Sequence, residues 1–206
     1  MPQGERPASP VVEFLELLWD LAVLNVLFLL CSLPVVTAGG ALAGLCYGAE
    51  KLRRQEGKPG ANFFKGFRRN FRQASIAWLA ALALLAFLFL DLYLLIQNGA
   101  GGMYYLLLGL VFLWLMFTLV YLYPLMVRFE NSLLRHVRNA FVLSLTHLWQ
   151  SVCLTVLALA PLLLGLISAR LLLYTAVFWL ALGFAAAAYG AAVLLRGVWP
   201  RSGDGD

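Results

Sequence analysis

The chain has 206 residues, of which 63% are hydrophobic and 12% charged, and its formal net charge is +5. With a mean hydropathy of +0.86, no water-soluble fold could hide so much apolar surface, so a soluble domain is excluded. The apolar residues come in runs of about twenty, the length an α-helix needs to cross the hydrocarbon core, and the expected fold is an all-α, polytopic transmembrane bundle.

Residues 1–10 are expected to be a disordered tail. Glu5 accompanies Arg6, three prolines fall within the segment and no cleavage pattern follows the first apolar run, so it is not a secretory signal. Residues 11–197 then form one transmembrane domain, and 198–206 a flexible tail. The first apolar run, 11–33, reads as a span that Pro34 interrupts before 37–50 continues. Proline disfavours helix at the residue before it, and Thr37 is placed to cap a new helix. A hairpin of two helices is preferred, giving six spans; the rival is one kinked helix over 21–47, giving five spans and an outer N-terminus.

Glu13, Glu16 and Asp20 share one face of the first helix and cannot face lipid cheaply. Pairing with the neighbouring basic loop is the local explanation; a proton or cation pathway is the sharper one. Gly40, Gly44 and Gly48 repeat every four residues on one face, which lets helix backbones approach closely in a membrane. Packing against another span is expected, with homodimerisation as the alternative.

Over 62–73, Phe63, Phe64, Phe67 and Phe71 fall on one arc and Lys65, Arg68, Arg69 and Arg72 on the opposite one. This pattern predicts a basic amphipathic helix lying in the inner interface, phenylalanines among acyl chains and cations at anionic headgroups of the bilayer. The alternative is a docking surface for a cytoplasmic partner. Nucleic-acid binding is not expected, because the aromatic face would be buried in lipid.

Further spans are expected at 76–97, 103–127, 141–167 and 171–195. In the six-span arrangement fourteen of the fifteen lysines and arginines fall on one side, with only Arg170 opposite. The basic side is cytoplasmic by the positive-inside rule, which puts the C-terminus, and with a hairpin the N-terminus, in the cytoplasm of a bacterial cell. Asp91 lies toward the far end of its span, where pairing with Arg170 would relieve two desolvation costs. Asn25, His147 and Gln150 are polar groups at membrane depth that need partners in neighbouring helices. Cys31, Cys46 and Cys153 read as small buried hydrophobes, with no disulfide framework or metal spacing.

No phosphate-binding glycine loop, nucleophile elbow, zinc motif or pair of intramembrane aspartates is present. No catalytic, cofactor or metal residues are expected, and the chain is read as non-enzymatic.

Asn25 is followed by the run Cys31-Ser32-Leu33-Pro34-Val35-Val36-Thr37-Ala38-Gly39-Gly40-Ala41. Later come Phe64, Phe67, Asn70 and Phe71 with Gln73-Ala74, then Tyr123-Pro124-Leu125, Arg128-Phe129-Glu130-Asn131 and Asn139-Ala140. In content and order these blocks resemble the YesL-like family of bacterial membrane proteins. The resemblance implies signature positions at Asn25, Pro34, Thr37, Gly39, Phe64, Phe67, Asn70, Phe71, Pro124, Arg128, Phe129 and Asn139, with no chemical role attached to any. It implies no activity, since the family is a domain of unknown function. The frequent placement of its members near carbohydrate-uptake genes suggests an accessory role beside a sugar transporter. Two functional classes therefore stand: a non-enzymatic accessory or scaffold protein with a membrane-protein partner, and a small transporter or channel subunit using Asp20, Asn25, Asp91, His147 and Gln150 as a polar route.

Overall fold

The computed structural model describes residues 10–99 and 101–198, and its regular elements are all helices, with no strand among the described residues. In chain order they are α1 (Pro10–Ser32), α2 (Ala38–Arg53), α3 (Pro59–Gln97), α4 (Gly102–Arg128), α5 (Leu133–Thr146), α6 (Leu148–Ile167), α7 (Ala169–Phe178) and α8 (Phe184–Leu194). A π-helical turn, Trp179–Gly183, joins α7 to α8, and short 3-10 turns stand at Val35–Thr37 and Leu195–Gly197. The tails expected at 1–10 and 198–206 lie, apart from Pro10 and Val198, outside the described residues.

Among the described residues five helical stretches are long and apolar enough to cross a membrane: Pro10–Ser32, Pro59–Gln97, Gly102–Arg128, Leu148–Ile167 and Ala169–Gly197. Away from the charged starts of the first and second of these, their outer surface is largely apolar: Leu30, Phe87, Phe89, Leu106, Leu166 and Val177 are each more than half exposed. Contiguous apolar surface on this scale is suited to lipid and not to water. The molecule is a polytopic helical bundle.

Pro34 does end the first helix, with an extended backbone at φ −76° and ψ 119°. The chain then turns back, since Gly48 of α2 rests against Leu24 of α1. The expected hairpin is present, with α2 as its second arm, though α2 is not one of the five long apolar helices. It has 16 residues, about 24 Å of helix, against a hydrocarbon core of about 30 Å. It is also not lipid-facing: Gly39, Gly40, Ala41, Ala43, Gly44, Leu45, Tyr47, Gly48 and Ala49 are all buried. Thr37 does not cap α2 with its side chain. Its hydroxyl instead lies 2.6 Å from the Cys31 carbonyl and 2.8 Å from that of Pro34, within reach of an acceptor that α1 leaves open at its end.

Helix α2 sits between two apolar clusters. Ala41 and Leu45 join Leu21, Leu24, Phe63 and Ala185 on one side. Ala43 and Tyr47 join Ala77, Tyr121, Met126 and Leu154 on the other. Small residues make this possible, because a backbone with little side-chain bulk can be approached from several directions.

The basic segment at 62–73 is not a separate interfacial helix. It is the first part of α3, a continuous helix of 39 residues, about 58 Å long. Phe63 is 0% exposed, with its carbonyl and ring against Gly44 of α2, so its expected place among acyl chains is corrected to the protein interior. Phe67 is half-buried, while Phe64 and Phe71 remain exposed. The physical reason is the glycine face of α2: helical periodicity shows that one arc is apolar but not whether lipid or another helix covers it.

The expected span 141–167 breaks at His147, which leaves helical geometry at φ −125°, ψ 56°. The Ser151 hydroxyl lies 2.9 Å from the Ser144 carbonyl, so a polar side chain just past the break reaches back to an acceptor before it, while the His147 carbonyl accepts from the Ser151 N–H at 3.0 Å.

Candidate functional site: a basic cavity at one end of the bundle

The last turn of α2 carries Glu50, Lys51 and Arg53, and Arg54 follows it. Leu52 leads into a turn with Gln55 at φ 57° and Gly57 at φ 68°, left-handed conformations that reverse the chain so that α3 can return along α2. The Asn62 side-chain amide donates to the Glu56 carbonyl at 2.7 Å, and Pro59 opens α3, where its missing N–H costs nothing. Helix α4 ends nearby at Arg128. Pro124, one turn earlier, leaves the Val120 carbonyl without its usual donor.

Three guanidinium groups converge on the carboxylate of Glu50. Arg53 donates from Nη2 to Oε1 at 2.9 Å and from Nε to Oε2 at 3.2 Å. Arg54 Nε and Nη2 both lie 3.0 Å from Oε1, and Arg128 Nη1 lies 3.3 Å from it. Burial by itself would raise the Glu50 carboxyl, but hydrogen bonds and charge from Arg53 and Arg54 outweigh it and hold the group below the usual carboxylate range. At the rim, Lys51 pairs with Glu56, and Arg69 with Glu130 at 2.6 Å. Both of those glutamates are exposed, so the two rim pairs hold their cations weakly.

These side chains border a partly enclosed cavity of about 360 Å³. Lys51, Arg54, Arg69, Arg128 and Glu50 supply its polar wall, and Cys46, Tyr47, Pro124, Val127, Ala188 and Ala191 are among its apolar residues. Four cations face one carboxylate, so the wall carries three positive charges in excess. A second, more apolar cavity between α3 and α4 includes Asp91, Asn98 and Tyr104.

Of the signature positions, Asn25 is the most fully engaged. It is 0% exposed. Its Nδ2 donates to the carbonyls of Trp179 at 3.1 Å and Leu180 at 2.7 Å, and its Oδ1 accepts from the Ala185 N–H at 3.0 Å. The π-helical turn disturbs the regular backbone ladder there, and the asparagine serves both its donors and its acceptors. Pro34 and Thr37 build the α1–α2 turn. Gly39 lies against the Ala74 carbonyl and the Trp78 Cβ, closer than any added Cβ could fit. Asn70 is buried and donates to the Gly66 carbonyl at 3.1 Å. Phe67 stacks between Phe63, at a centroid distance of 6.2 Å, and Phe71, at 5.2 Å. Pro124 and Arg128 border the basic cavity, and Arg128 lies 5.9 Å from the Phe129 ring centroid. Asn139 is exposed on α5.

Among the interface candidates, Lys65, Arg68 and Arg72 are exposed on α3. Of the glycine face, Gly40 meets the rings of Phe67 and Phe71, Gly44 meets Phe63, and Gly48 meets Leu24.

Several expected pairings are corrected. Among the described residues Asp91 and Arg170 form no ion pair: Asp91 lies beside α4 in the second cavity, and Arg170 is exposed at the start of α7. Glu13 and Glu16 are exposed on α1, and the loop cations expected to pair with them are held by Glu50 and Glu56 instead. The nearer carboxylates on α2 and its own loop win because little chain has to be ordered to reach them. His147 Nδ1 lies 2.9 Å from the Thr146 hydroxyl. The three cysteines are free and half-buried. Among the described residues no three His, Cys, Asp or Glu side chains group as a metal site would require.

Two groups carry no signal in the sequence that marks them out. Glu50 is one acidic residue among many bases; Arg53 and Arg54 stand three and four residues after it, but only the fold brings Arg128 to it as well. His136 of α5 is 1% exposed. Burial pushes its imidazole below the usual histidine value, partly offset by a hydrogen bond with the Asn131 backbone, and its Nδ1 has no partner among the described residues.

Residues 21–92 match the family described as "Protein of unknown function, DUF624". The matched stretch covers the second half of α1, the turn at Pro34, all of α2 and α3 to Leu92. No curated protein and no solved structure matches the chain.

Proposed function

We propose that this chain is a non-enzymatic, YesL-like accessory or scaffold protein of the bacterial cytoplasmic membrane, working beside a membrane-protein partner such as a sugar transporter. The observation that carries this reading is the separation of its polar groups. Asn25 is occupied by the π-helical turn, His147 contacts Thr146, and Asp91 belongs to the second cavity. A transport route through Asp20, Asn25, Asp91, His147 and Gln150 would need these side chains to line one continuous passage. Meanwhile the ends of α2, α4 and α8 gather around the basic cavity.

That gathered end is the cytoplasmic face in this reading, and it presents Lys65, Arg68, Arg72 and the α5 cations Arg135 and Arg138 to a partner or to anionic lipid. Co-purification from native membranes in mild detergent tests it. A reproducible membrane-protein partner, lost when Arg135 and Arg138 are replaced by glutamate, is the expected result. Recovery of folded protein with no reproducible partner would count against the scaffold reading.

A further inference from the structure

We propose that the basic cavity is a binding site for a phosphomonoester, with the dianion against Lys51, Arg54, Arg69 and Arg128 and the organic part over the apolar floor. The inference is independent of the accessory reading and rests on the cavity alone.

Charge selects the class of ligand. Four cations and one carboxylate line the space, an excess that a dianion reduces and that a neutral or cationic ligand leaves standing. The arrangement is also held in place before any ligand arrives. Glu50 fixes Arg54 and Arg128 from one side, as a supporting group should for a charged recognition site. Guanidinium forks match the several oxygens of a phosphate better than a single carboxylate can. The partners of Lys51 and Arg69 are exposed rim glutamates, and such pairs are readily exchanged for a stronger anion.

The floor argues for more than a bare ion. Cys46, Tyr47, Pro124, Val127 and Ala191 share the lining of the cavity with the cations. At about 360 Å³ the cavity falls within the range of small-molecule sites, roughly 300–1,000 Å³. A phosphomonoester can come from a lipid headgroup or from a soluble metabolite, and both present the same group to the same cations.

The test uses the full chain purified in an uncharged detergent and titrated with short-chain phosphatidic acid, short-chain phosphatidylcholine and glycerol 3-phosphate, with affinity read by thermophoresis. Saturable binding of at least one phosphomonoester is expected, with phosphatidylcholine not saturating. Arg54→Gln should weaken that binding at least tenfold, whereas Arg170→Gln, which removes the same charge from the exposed start of α7, should leave it unchanged. Binding of phosphatidic acid alone identifies a lipid source, and binding of glycerol 3-phosphate identifies a soluble one. Should Arg54→Gln elute as misfolded protein, Lys51→Gln takes its place with the same expectation. The proposal is overturned if neither phosphomonoester saturates, or if the folded cavity variant binds like the wild type.

Discussion

Asn25 shows how one side chain can secure a non-canonical backbone. The π-helical turn sets the Trp179 and Leu180 carbonyls and the Ala185 N–H toward α1, and a single amide answers all three. Asn25→Ala should therefore destabilise the protein by on the order of 1–3 kcal/mol, read as a lowered Tm in detergent. Asn25→Asp should be worse near neutral pH, since a carboxylate would face two carbonyl oxygens. A wild-type Tm for Asn25→Ala would show that the turn needs no partner. His136 gives a pH-dependent contribution of calculable sign. Its pKa in the folded chain lies below the ordinary value of about 6.5. The unfolded chain therefore takes up a proton that the folded one refuses, so the contribution is full above that pH and is lost as pH falls through it. Thermal melts between pH 7 and pH 5 should slope less in His136→Gln than in wild type; parallel slopes would remove His136 as the cause.

At the scale of elements, the seam between α2 and α3 organises the fold, and its glycines are not equivalent. A Cβ on Gly39 would collide with the Ala74 carbonyl, which is backbone and cannot move aside. A Cβ on Gly48 would meet the Leu24 Cδ2 at 2.6 Å, the end of a flexible side chain that can rotate. Gly39→Ala should cost about 1–3 kcal/mol, and Gly48→Ala clearly less. Equal melting temperatures of the two variants in detergent would mean that the seam is looser than its geometry. Gly66, across the seam, faces the Tyr47 Cβ, so the close approach is built from both helices. This is also why a helix as short as α2 can hold the centre: its contacts come from its neighbours' side chains filling the space its own residues leave.

For the whole molecule, the hairpin decides where the ends lie. Helix α1 runs against α2, so the start of α1 shares an end of the bundle with the close of α2. Glu50 there meets Arg128 from the close of α4, and Leu195, just past α8, borders the same cavity. Both ends of the chain are therefore expected on one side of the membrane. Single cysteines at Ala8→Cys and Ser202→Cys, in a background lacking the three native ones, should both resist a membrane-impermeant maleimide in intact cells and react after lysis. Labelling at position 8 with protection at 202 would mean that α2 does not return the chain across the membrane.

Composition and the length of the apolar runs determined that this is a helical membrane protein, because the cost of exposing apolar surface or unpaired backbone in the wrong solvent is set by local sequence alone. The break at Pro34 was equally legible, since proline constrains its own neighbours. The inward placement of α2, the burial of Phe63 and the break at His147 were not. Each depends on what covers a given helix face, and a periodic pattern reports that a face is apolar without reporting its neighbour. The basic cavity was legible only as an excess of arginine and lysine. Arg53 and Arg54 reach Glu50 by their spacing of three and four residues, but that Arg128 joins them, and which cations stand on the exposed side of α3, was decided by tertiary structure, because those distances are set by how α2, α3 and α4 pack.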